Sequence, residues 1–266
     1  MTRLFVTGGS GDLGRVLCER ATAAGYDVIA GYWSHPDRIR AGKPLRLDLC
    51  DGEAAQAALR EYRPDLIIHT AMNTDVPPAA IIQAMQNLHG TIPIIYLSTD
   101  MVFDGTNAPY SEESSPAPWS GYGQAKFAAE ALASTVVRTS LIYDFVPGNK
   151  QVDFLLRPIQ QGQRCRLFYD EFRSPIWSQN LAGALLELVA HSFQGVLHVA
   201  GPERLSRADL GAKILGVMGY EPQHIERISQ AGTNRPPDLT MDVSRAKGLL
   251  KTPLLSIDEA IAQIQP

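Results

Sequence analysis

The chain has 266 residues, of which 45% are hydrophobic and 20% are charged. A chain of this length buries roughly three quarters of its unfolded surface, and the composition excludes a mainly disordered, fibrous or repeat protein. Lys and Arg number 24 against 28 Asp and Glu, which gives a net charge of -4 without any block of like charge. This balance argues against a broad surface for nucleic acid or for an anionic membrane.

The sequence lacks any apolar run close to the roughly 18 residues that a membrane span needs, and it leads directly into a predicted strand. We therefore expect a cytoplasmic protein. The three cysteines, Cys18, Cys50 and Cys165, are odd in number and widely spaced, which favours reduced thiols over a disulfide framework. The six histidines show no pair at metal-binding spacing, so no metal site is expected.

The first half of the chain alternates short runs of β-branched or apolar residues with longer helical patterns, which is typical of βαβ units in a parallel sheet. The predicted strands are Leu4–Val6, Val28–Ala30, Leu45–Leu47, Leu66–Ile68, Ile94–Leu97 and Val136–Ile142. The predicted helices are Leu13–Ala24, Glu53–Glu61, Ala79–Leu88 and Tyr122–Ala133. This order predicts an α/β fold with a doubly wound parallel sheet, the Rossmann fold.

The alternation changes after Asp144. The remaining predicted elements are helices at Asp153–Gln161, Asn180–His191, Arg207–Met218 and Ile257–Ile264 and a strand at Val196–Val199. We expect a dinucleotide-binding domain at 1–143, to which 178–200 returns, and a smaller C-terminal α/β lobe at 144–177 and 201–266. The lobe is expected to cover the carboxyl edge of the sheet, where ligands of such sheets bind.

A glycine-rich loop, Thr-Gly-Gly-Ser-Gly-Asp-Leu-Gly from Thr7, follows the first strand and opens the first helix. Glycines in such a loop allow a tight turn, close approach of the backbone to a pyrophosphate and close packing of helix on strand. The pattern predicts dinucleotide binding, with a simple chain reversal as the alternative. The loop residues expected to contact the cofactor are Gly8, Ser10, Gly11, Asp12, Leu13 and Gly14.

The end of the second strand discriminates NAD from NADP, because a carboxylate there binds the ribose 2′-hydroxyl and repels a 2′-phosphate. This strand end has no carboxylate and is followed by Ser34, His35 and Arg38. We therefore expect NADP(H) to be preferred over NAD(H), with Ser34 and Arg38 as contacts; a solvated turn is the alternative. Asp48 and Leu49 are placed to contact the adenine, unless Asp48 caps the next helix.

Tyr122 and Lys126 are four residues apart and share one face of the predicted helix. An ammonium beside a phenol lowers the Tyr pKa from about 10, so that the phenol can act as a general acid near neutral pH. A hydroxyl from the end of the fifth strand, at Ser98 or Thr99, can donate a hydrogen bond to a substrate carbonyl. Serines and threonines at strand ends are, however, more often caps or turn formers.

Together these segments resemble the extended short-chain dehydrogenase/reductases, and within them the dTDP-4-dehydrorhamnose reductase group. The resemblance covers nearly the whole chain and is carried by TGGSGDLG at Thr7, STDMVFDG at Ser98, YGQAK at Tyr122 and NRPPDLTMDVSRAK at Asn234. By motif position it implies a catalytic set of Thr99, Tyr122 and Lys126. Further cofactor contacts are expected at Tyr122, Lys126, Thr70 and Ala71.

Substrate contacts are expected at Thr99, Asp100, Trp119 and Arg235. The Arg235 guanidinium suits the pyrophosphate of a nucleotide-linked substrate, and a surface salt bridge is the alternative. The chain departs from the group at Met101, where Tyr is usual, and in a shorter stretch at 72–97. The related dehydratases use an Asp and a Glu after the catalytic Thr, and Met101 replaces that Glu, so dehydration is disfavoured.

The resemblance implies NADPH-dependent reduction of a keto group on a nucleotide-linked 4-keto-6-deoxy sugar. One alternative is a non-catalytic NADP-binding subunit that resembles the regulatory subunit of methionine adenosyltransferase, because that protein keeps the fold for association. A nucleotide-sugar epimerase is another. The expected partner is a small nucleotide-sugar substrate, without nucleic acid or membrane, and a homodimer is an open alternative to a monomer.

Overall fold

Seven parallel strands form the central sheet, and they alternate along the chain with helices that pack on both faces. The computed structural model describes residues 1–72 and 77–265. The first part of the chain contains β1 Arg3–Thr7, α1 Asp12–Ala23, β2 Asp27–Tyr32, β3 Lys43–Arg46, α2 Gly52–Tyr62, β4 Leu66–His69, α3 Pro78–Leu88, β5 Ile94–Thr99, α4 Gly121–Glu130 and β6 Thr135–Thr139. The predicted doubly wound Rossmann fold is confirmed.

The second part of the chain is divided into shorter elements. They are β7 Ile142–Tyr143, α5 Lys150–Gln160, β8 Cys165–Phe168, β9 Phe172–Arg173, β10 Ile176–Trp177, α6 Ser178–His191, β11 Gly195–His198, β12 Leu205–Ser206, α7 Arg207–Val217, β13 Ile225–Ile228, α8 Ser244–Leu249 and α9 Ile257–Ile264. Across the described residues, no helix combines the length and the apolar character that crossing a membrane requires.

The strand order of the main sheet is β3-β2-β1-β4-β5-β6-β11. The chain progresses outward in one direction from β1 to β3 and in the other direction from β4 to β11. Loops that leave the carboxyl ends of β1 and β4 therefore diverge and open a crevice between them, the position where ligands of such sheets bind.

The side chains of neighbouring residues on a strand pack in different cores, because they alternate between the two faces of the sheet. On β1, Val6 packs in a core shared with α1 and α6, whereas Phe5 packs in a core with α2, α3 and α4. Both faces of the sheet are thus covered by helices. This explains why the central strands are nearly continuous apolar runs in the sequence.

The predicted strand Val136–Ile142 is two strands in the structure, β6 and β7. The strand pairing with β5 ends at Thr139, and β7 pairs instead with β10 outside the main sheet. At the break, the Ser140 hydroxyl donates to the Asp100 carboxylate at 2.5 Å. The strand break therefore coincides with a hydrogen bond to a buried carboxylate, which hydrophobic patterning does not reveal.

A third core lies outside the main sheet, between α5, α7, α9 and the parallel pair formed by β8 and β13. β11 belongs instead to the large sheet, because it pairs with β6. α6 packs on that sheet, in the same core as α1. The expected helix at Asp153–Gln161 corresponds to α5, but the short strands β8, β9, β10, β12 and β13 were not predicted. The division into two domains stays a prediction.

A buried ion pair joins α4 to β6. Arg138 donates from Nε and Nη2 to the two carboxylate oxygens of Glu130, at 3.0 and 2.7 Å, and both side chains are more than nine-tenths buried. Ser98 donates to the same carboxylate at 2.5 Å. This pair fixes the C-terminal end of α4 against the sheet.

Replacing Arg138 by Met should lower the free energy of unfolding by about 3–5 kcal/mol, because it leaves the Glu130 carboxylate buried without its counter-charge. Urea unfolding at neutral pH measures the loss. The matched control is Arg227→Met, since the Arg227–Asp209 pair has side chains that are 50% and 42% exposed. That control should lose less than about 1 kcal/mol; equal losses in the two variants would contradict the prediction.

Candidate active site

The glycine loop between β1 and α1 is built around three close backbone contacts. Gly8 has φ +71°, and a Cβ there would lie 2.7 Å from Cα of Ala71. A Cβ at Gly14 would lie 2.0 Å from the Gly8 carbonyl oxygen, and that same oxygen accepts from the Gly11 N–H at 2.8 Å. Only glycine fits at Gly8 and Gly14.

The loop also offers hydrogen-bond donors for an anion. α1 begins after Gly11, and in the described residues no side chain caps its first turn. The backbone N–H groups of that turn are then available to a phosphate. Thr70 and Ala71, which follow β4, border the loop: the Thr70 hydroxyl donates to the Thr7 carbonyl at 2.7 Å. The loop thus fits the pyrophosphate of a dinucleotide.

Leu13 and Ser10 take structural positions in this loop. Leu13 is buried in the core beneath the loop, so only its backbone is available to a ligand. The Ser10 hydroxyl donates to the Ser34 carbonyl at 2.9 Å, which holds the segment after β2 against the loop.

After β3, Asp48 is exposed and accepts from the Cys50 N–H at 2.9 Å, beside Leu49.

Arg38 is held by the protein itself. Its Nη2 donates to Asp12 Oδ1 at 2.7 Å and to the Gly148 carbonyl at 2.9 Å. The other Asp12 oxygen accepts from the Lys150 N–H at 2.7 Å, at the start of α5. Arg38 and Asp12 therefore connect the glycine loop, the segment after β2 and α5.

Lys126 packs against β5 and is 4% exposed. Its ammonium donates to the Leu97 carbonyl at 2.6 Å and lies 4.1 Å from the centre of the Tyr96 ring. Burial lowers its pKa to about 7, against a smaller opposing effect of Glu130. Tyr96 in turn stacks on His69, whose pKa burial lowers to about 3, so that imidazole is neutral.

The Tyr122 phenol has a raised pKa, of about 12. Burial is the main cause, followed by the negative charge of Asp100; contact with the Thr99 hydroxyl and the charge of Arg173 act in the opposite direction. The prediction that Lys126 lowers this pKa is wrong, because Lys126 is itself buried and donates to a backbone carbonyl. Tyr122 therefore stays protonated throughout the neutral range.

The structure brings the Thr99 hydroxyl into contact with the Tyr122 phenol. Thr99 ends β5, and its hydroxyl accepts from the Met101 N–H and donates to Asp100 Oδ1, both at 3.2 Å. Asp100 itself is 2% exposed and accepts from Arg173 Nη1 at 2.7 Å. The expected substrate contact at Asp100 is therefore a carboxylate that the protein already binds on both oxygens.

The other expected substrate residues are Arg235 and Trp119. Arg235 donates from Nε and Nη2 to the two oxygens of the buried Glu171, at 2.5 and 2.8 Å. Its side chain is still 42% exposed, so part of the guanidinium faces solvent. In the part of the chain that the structure describes, the buried Trp119 Nε1 has no hydrogen-bond partner.

Three polar residues near the site were not predicted from the sequence: Ser140, Glu171 and Arg173. The last two lie in the run Tyr169–Trp177, where three charged side chains, Asp170, Glu171 and Arg173, stand among short apolar strands; these charges are the signal that was available. The residues at 73–76, part of the shortened stretch, lie outside the described residues. Among the described residues, no group of three or more His, Cys, Asp or Glu could hold a metal ion.

Comparison with known proteins agrees with this fold. The family described as the RmlD substrate binding domain matches residues 1–265. A solved structure of a hypothetical dTDP-4-dehydrorhamnose reductase from Sulfolobus tokodaii is 30% identical, with a TM-score of 0.79 over 97% of this chain and 98% of that one. The dTDP-4-dehydrorhamnose reductase of Bacillus anthracis, solved in complex with NADP, is 25% identical, with a TM-score of 0.79 over 99% and 98%.

Two curated relatives represent different functions. A probable low-salt glycan biosynthesis reductase of Haloferax volcanii is 28% identical over 98% of this chain and 96% of its own length. The methionine adenosyltransferase 2 subunit beta of Danio rerio is 26% identical over 91% of this chain and 83% of its own length. The fold thus serves both a named reductase and a named subunit of another enzyme.

Replacing Lys126 by Met should change the pH dependence of stability. The unfolded amine keeps its ordinary pKa of 10.5 while the folded one has a pKa of about 7, so between these values the unfolded chain binds one more proton. Wild-type stability should therefore rise relative to the variant as pH increases, by about 2 kcal/mol from pH 7 to pH 9. Urea unfolding at both pH values measures this difference.

The control is Lys251→Met, because the Lys251 side chain is exposed and keeps its hydration on folding. Its stability difference from wild type should be the same at both pH values. A difference for Lys126→Met that is also independent of pH would contradict the low pKa of Lys126.

Proposed function

Because the chain belongs to the RmlD substrate binding domain family, a family of NAD(P)-dependent oxidoreductases, we propose that it reduces a keto group on a nucleotide-linked 4-keto-6-deoxy sugar with NADPH. The observation that carries the proposal is the cluster of Thr99, Tyr122 and Lys126: a hydroxyl and a protonated phenol in contact, with a buried amine one helical turn away. These are the groups that reduction of a carbonyl needs from the protein.

In this proposal the two hydroxyls act on the carbonyl oxygen. NADPH, when bound, supplies the hydride to the carbonyl carbon. Thr99 donates a hydrogen bond to the oxygen and orients it, and Tyr122 transfers its proton as negative charge develops there. A phenol with a pKa of about 12 is fully protonated at neutral pH, so the proton to be transferred is present.

Reduction fits the site better than sugar dehydration. In the related dehydratases an Asp after the catalytic Thr acts as the acid and a Glu follows it. Both Asp100 oxygens here accept hydrogen bonds, from Arg173 and from Ser140, and Met101 has no ionisable group. Neither residue is therefore able to supply the proton that loss of a sugar hydroxyl requires.

The glycine loop is proposed to hold the pyrophosphate of the cofactor. Gly8, Gly11 and Gly14 permit the pyrophosphate to approach the backbone, and the N–H groups in the first turn of α1 donate hydrogen bonds to it. Thr70, Ala71, Asp48 and Leu49 are proposed to border the nucleotide. Trp119 and Arg235 are proposed to contact the substrate, because Trp119 has a buried N–H without a partner in the described residues and Arg235 has an exposed guanidinium edge.

NADPH should bind more tightly than NADH, and the preference should depend on Arg38. Arg38→Met should lower NADPH affinity by about 10- to 100-fold and leave NADH affinity nearly unchanged, as expected for losing a charged hydrogen bond. Asp12→Asn removes the carboxylate that holds Arg38, and should therefore raise NADPH affinity relative to NADH. Calorimetric titration of both cofactors provides the measurement.

Arg40→Met is the matched control for this titration, since Arg40 is 66% exposed and its contact with Glu19 is 3.9 Å long. It should bind both cofactors as wild type does. Equal or tighter binding of NADH by the wild-type protein would contradict the preference for NADPH.

Tyr122→Phe should reduce turnover by about 10²- to 10⁴-fold, because it removes the proton donor and leaves the ring and the glycine loop intact. Thr99→Val should lose less, since it removes one neutral hydrogen bond. The assay is single-turnover oxidation of NADPH with a panel of nucleotide-linked 4-keto sugars, and NADPH affinity of each variant is the control. Near-normal turnover by Tyr122→Phe would show that the assigned proton donor is wrong.

The second candidate function is a non-catalytic subunit, favoured by the match to methionine adenosyltransferase 2 subunit beta. The same assay separates it from the reductase: a protein that binds NADPH, oxidises none with any keto sugar and elutes together with an adenosyltransferase catalytic subunit supports the subunit. An epimerase is distinguished by its products, because it changes a sugar configuration without net consumption of NADPH.

A further inference from the structure

A continuous series of hydrogen bonds connects a residue outside the main sheet to the Thr99 hydroxyl. Arg173 Nη1 donates to Asp100 Oδ1 at 2.7 Å, and the Thr99 hydroxyl donates to the same oxygen at 3.2 Å. The second Asp100 oxygen accepts from Ser140 at 2.5 Å. The proposed function uses Thr99 but assigns nothing to Arg173.

Arg173 and Asp100 come from different parts of the fold. Asp100 follows β5 of the main sheet, whereas Arg173 lies on β9, which pairs with β12 and contacts Asp238. The two side chains are only 6% and 2% exposed. Since removing two charges from water costs several kcal/mol, and an apolar pair of similar size would often be as stable, stability alone does not account for this pair.

The two hydrogen bonds to Asp100 Oδ1 are unequal. Arg173 makes the short, charge-assisted bond, and the Thr99 hydroxyl makes the long one. Without Arg173 the carboxylate would bind the Thr99 proton more strongly. It would also place an unbalanced negative charge close to where the substrate oxygen becomes negative, which opposes the transition state.

We propose that Arg173 is a positioning residue for carbonyl reduction, which balances the Asp100 carboxylate and thereby leaves the Thr99 hydroxyl able to donate to the substrate. This inference rests on the proposed function. Arg173 acts through Asp100 and need not touch the substrate. Its position on β9 means that the arrangement of the segment around Glu171 determines whether the catalytic hydroxyl is available.

The test uses Arg173→Met alone and combined with Asp100→Asn. The single variant should lose about 10- to 100-fold in kcat with keto sugar, with NADPH affinity unchanged, because the bare Asp100 carboxylate remains. The double variant removes both charges, so kcat should recover to within about 10-fold of wild type. Arg227→Met, in an exposed pair, should match wild type in both measurements.

Unfolding is measured alongside, because Arg173→Met leaves a buried charge and reduces stability. If the single variant is unfolded, the double variant carries the test: it should be folded and active. A folded Arg173→Met with wild-type kcat would overturn the proposal. So would a folded double variant with the same low kcat as the single one, since removing the carboxylate would then restore nothing.

An ionisation measurement needs no substrate, and it separates failure of this inference from failure of the proposed function. Tyr122 is faced by Asp100, by Arg173, by Tyr96 on β5 and by Lys126 on its own helix. At alkaline pH Lys126 is neutral and Tyr96, with a pKa raised further by burial, stays protonated. The charges near Tyr122 that the variants change are then those of Asp100 and Arg173.

Asp100→Asn should lower the pKa of Tyr122, because it removes the negative charge that raises this pKa while Arg173 keeps its charge and its contact with Glu171 at 3.5 Å. Adding Arg173→Met should reverse that shift. Phenolate absorbance is titrated for each variant with and without Tyr122→Phe, and the difference isolates Tyr122. If wild type reduces no keto sugar, the proposed reaction fails, yet a reversed shift still supports the electrostatic role of Arg173. A Tyr122 pKa that is the same with and without Arg173 would overturn it.

Discussion

Parallel pairing of β1, β4, β5 and β6 is the constraint on which the rest of the site depends. It places Thr7 beside His69, His69 beside Tyr96 and Thr99 beside Thr139, all at one edge of the sheet. Residues that are far apart in sequence become neighbours there because parallel strands all end on the same side. The Thr7 hydroxyl bonds His69 Nδ1 at 2.7 Å, which ties the base of the glycine loop to β4.

The same edge concentrates buried charge. Lys126, Glu130, Arg138, Asp100 and Arg173 are all more than nine-tenths buried, and each except Lys126 has an oppositely charged partner. Lys126 instead uses a backbone carbonyl and the face of Tyr96. Its low pKa follows from burial, which a carbonyl and a ring offset less than a paired carboxylate would.

Those buried groups alter the chemistry that the Tyr-x-x-x-Lys spacing suggests. On a bare helix, an ammonium four residues from a phenol would favour the phenolate. In the folded protein both groups are desolvated, and desolvation moves the two pKa values towards the neutral forms: up for Tyr122 and down for Lys126. A protonated phenol is the form that reduction requires, so burial and the proposed direction of reaction agree.

Local sequence determined much of this protein. The apolar runs from Leu4 to Leu97 and the glycine spacing after Thr7 were sufficient to predict the Rossmann sheet and its loop, because strand periodicity and glycine conformations are properties of a few neighbouring residues. The association of Thr99, Tyr122 and Lys126 was predicted from motif order. Only the tertiary structure decided that β6 breaks at Ser140, that Asp12 holds Arg38, and that Arg173 joins Asp100 across 73 positions of sequence. Such contacts depend on which side chains meet when the chain is compact, and desolvation of charge acts only there.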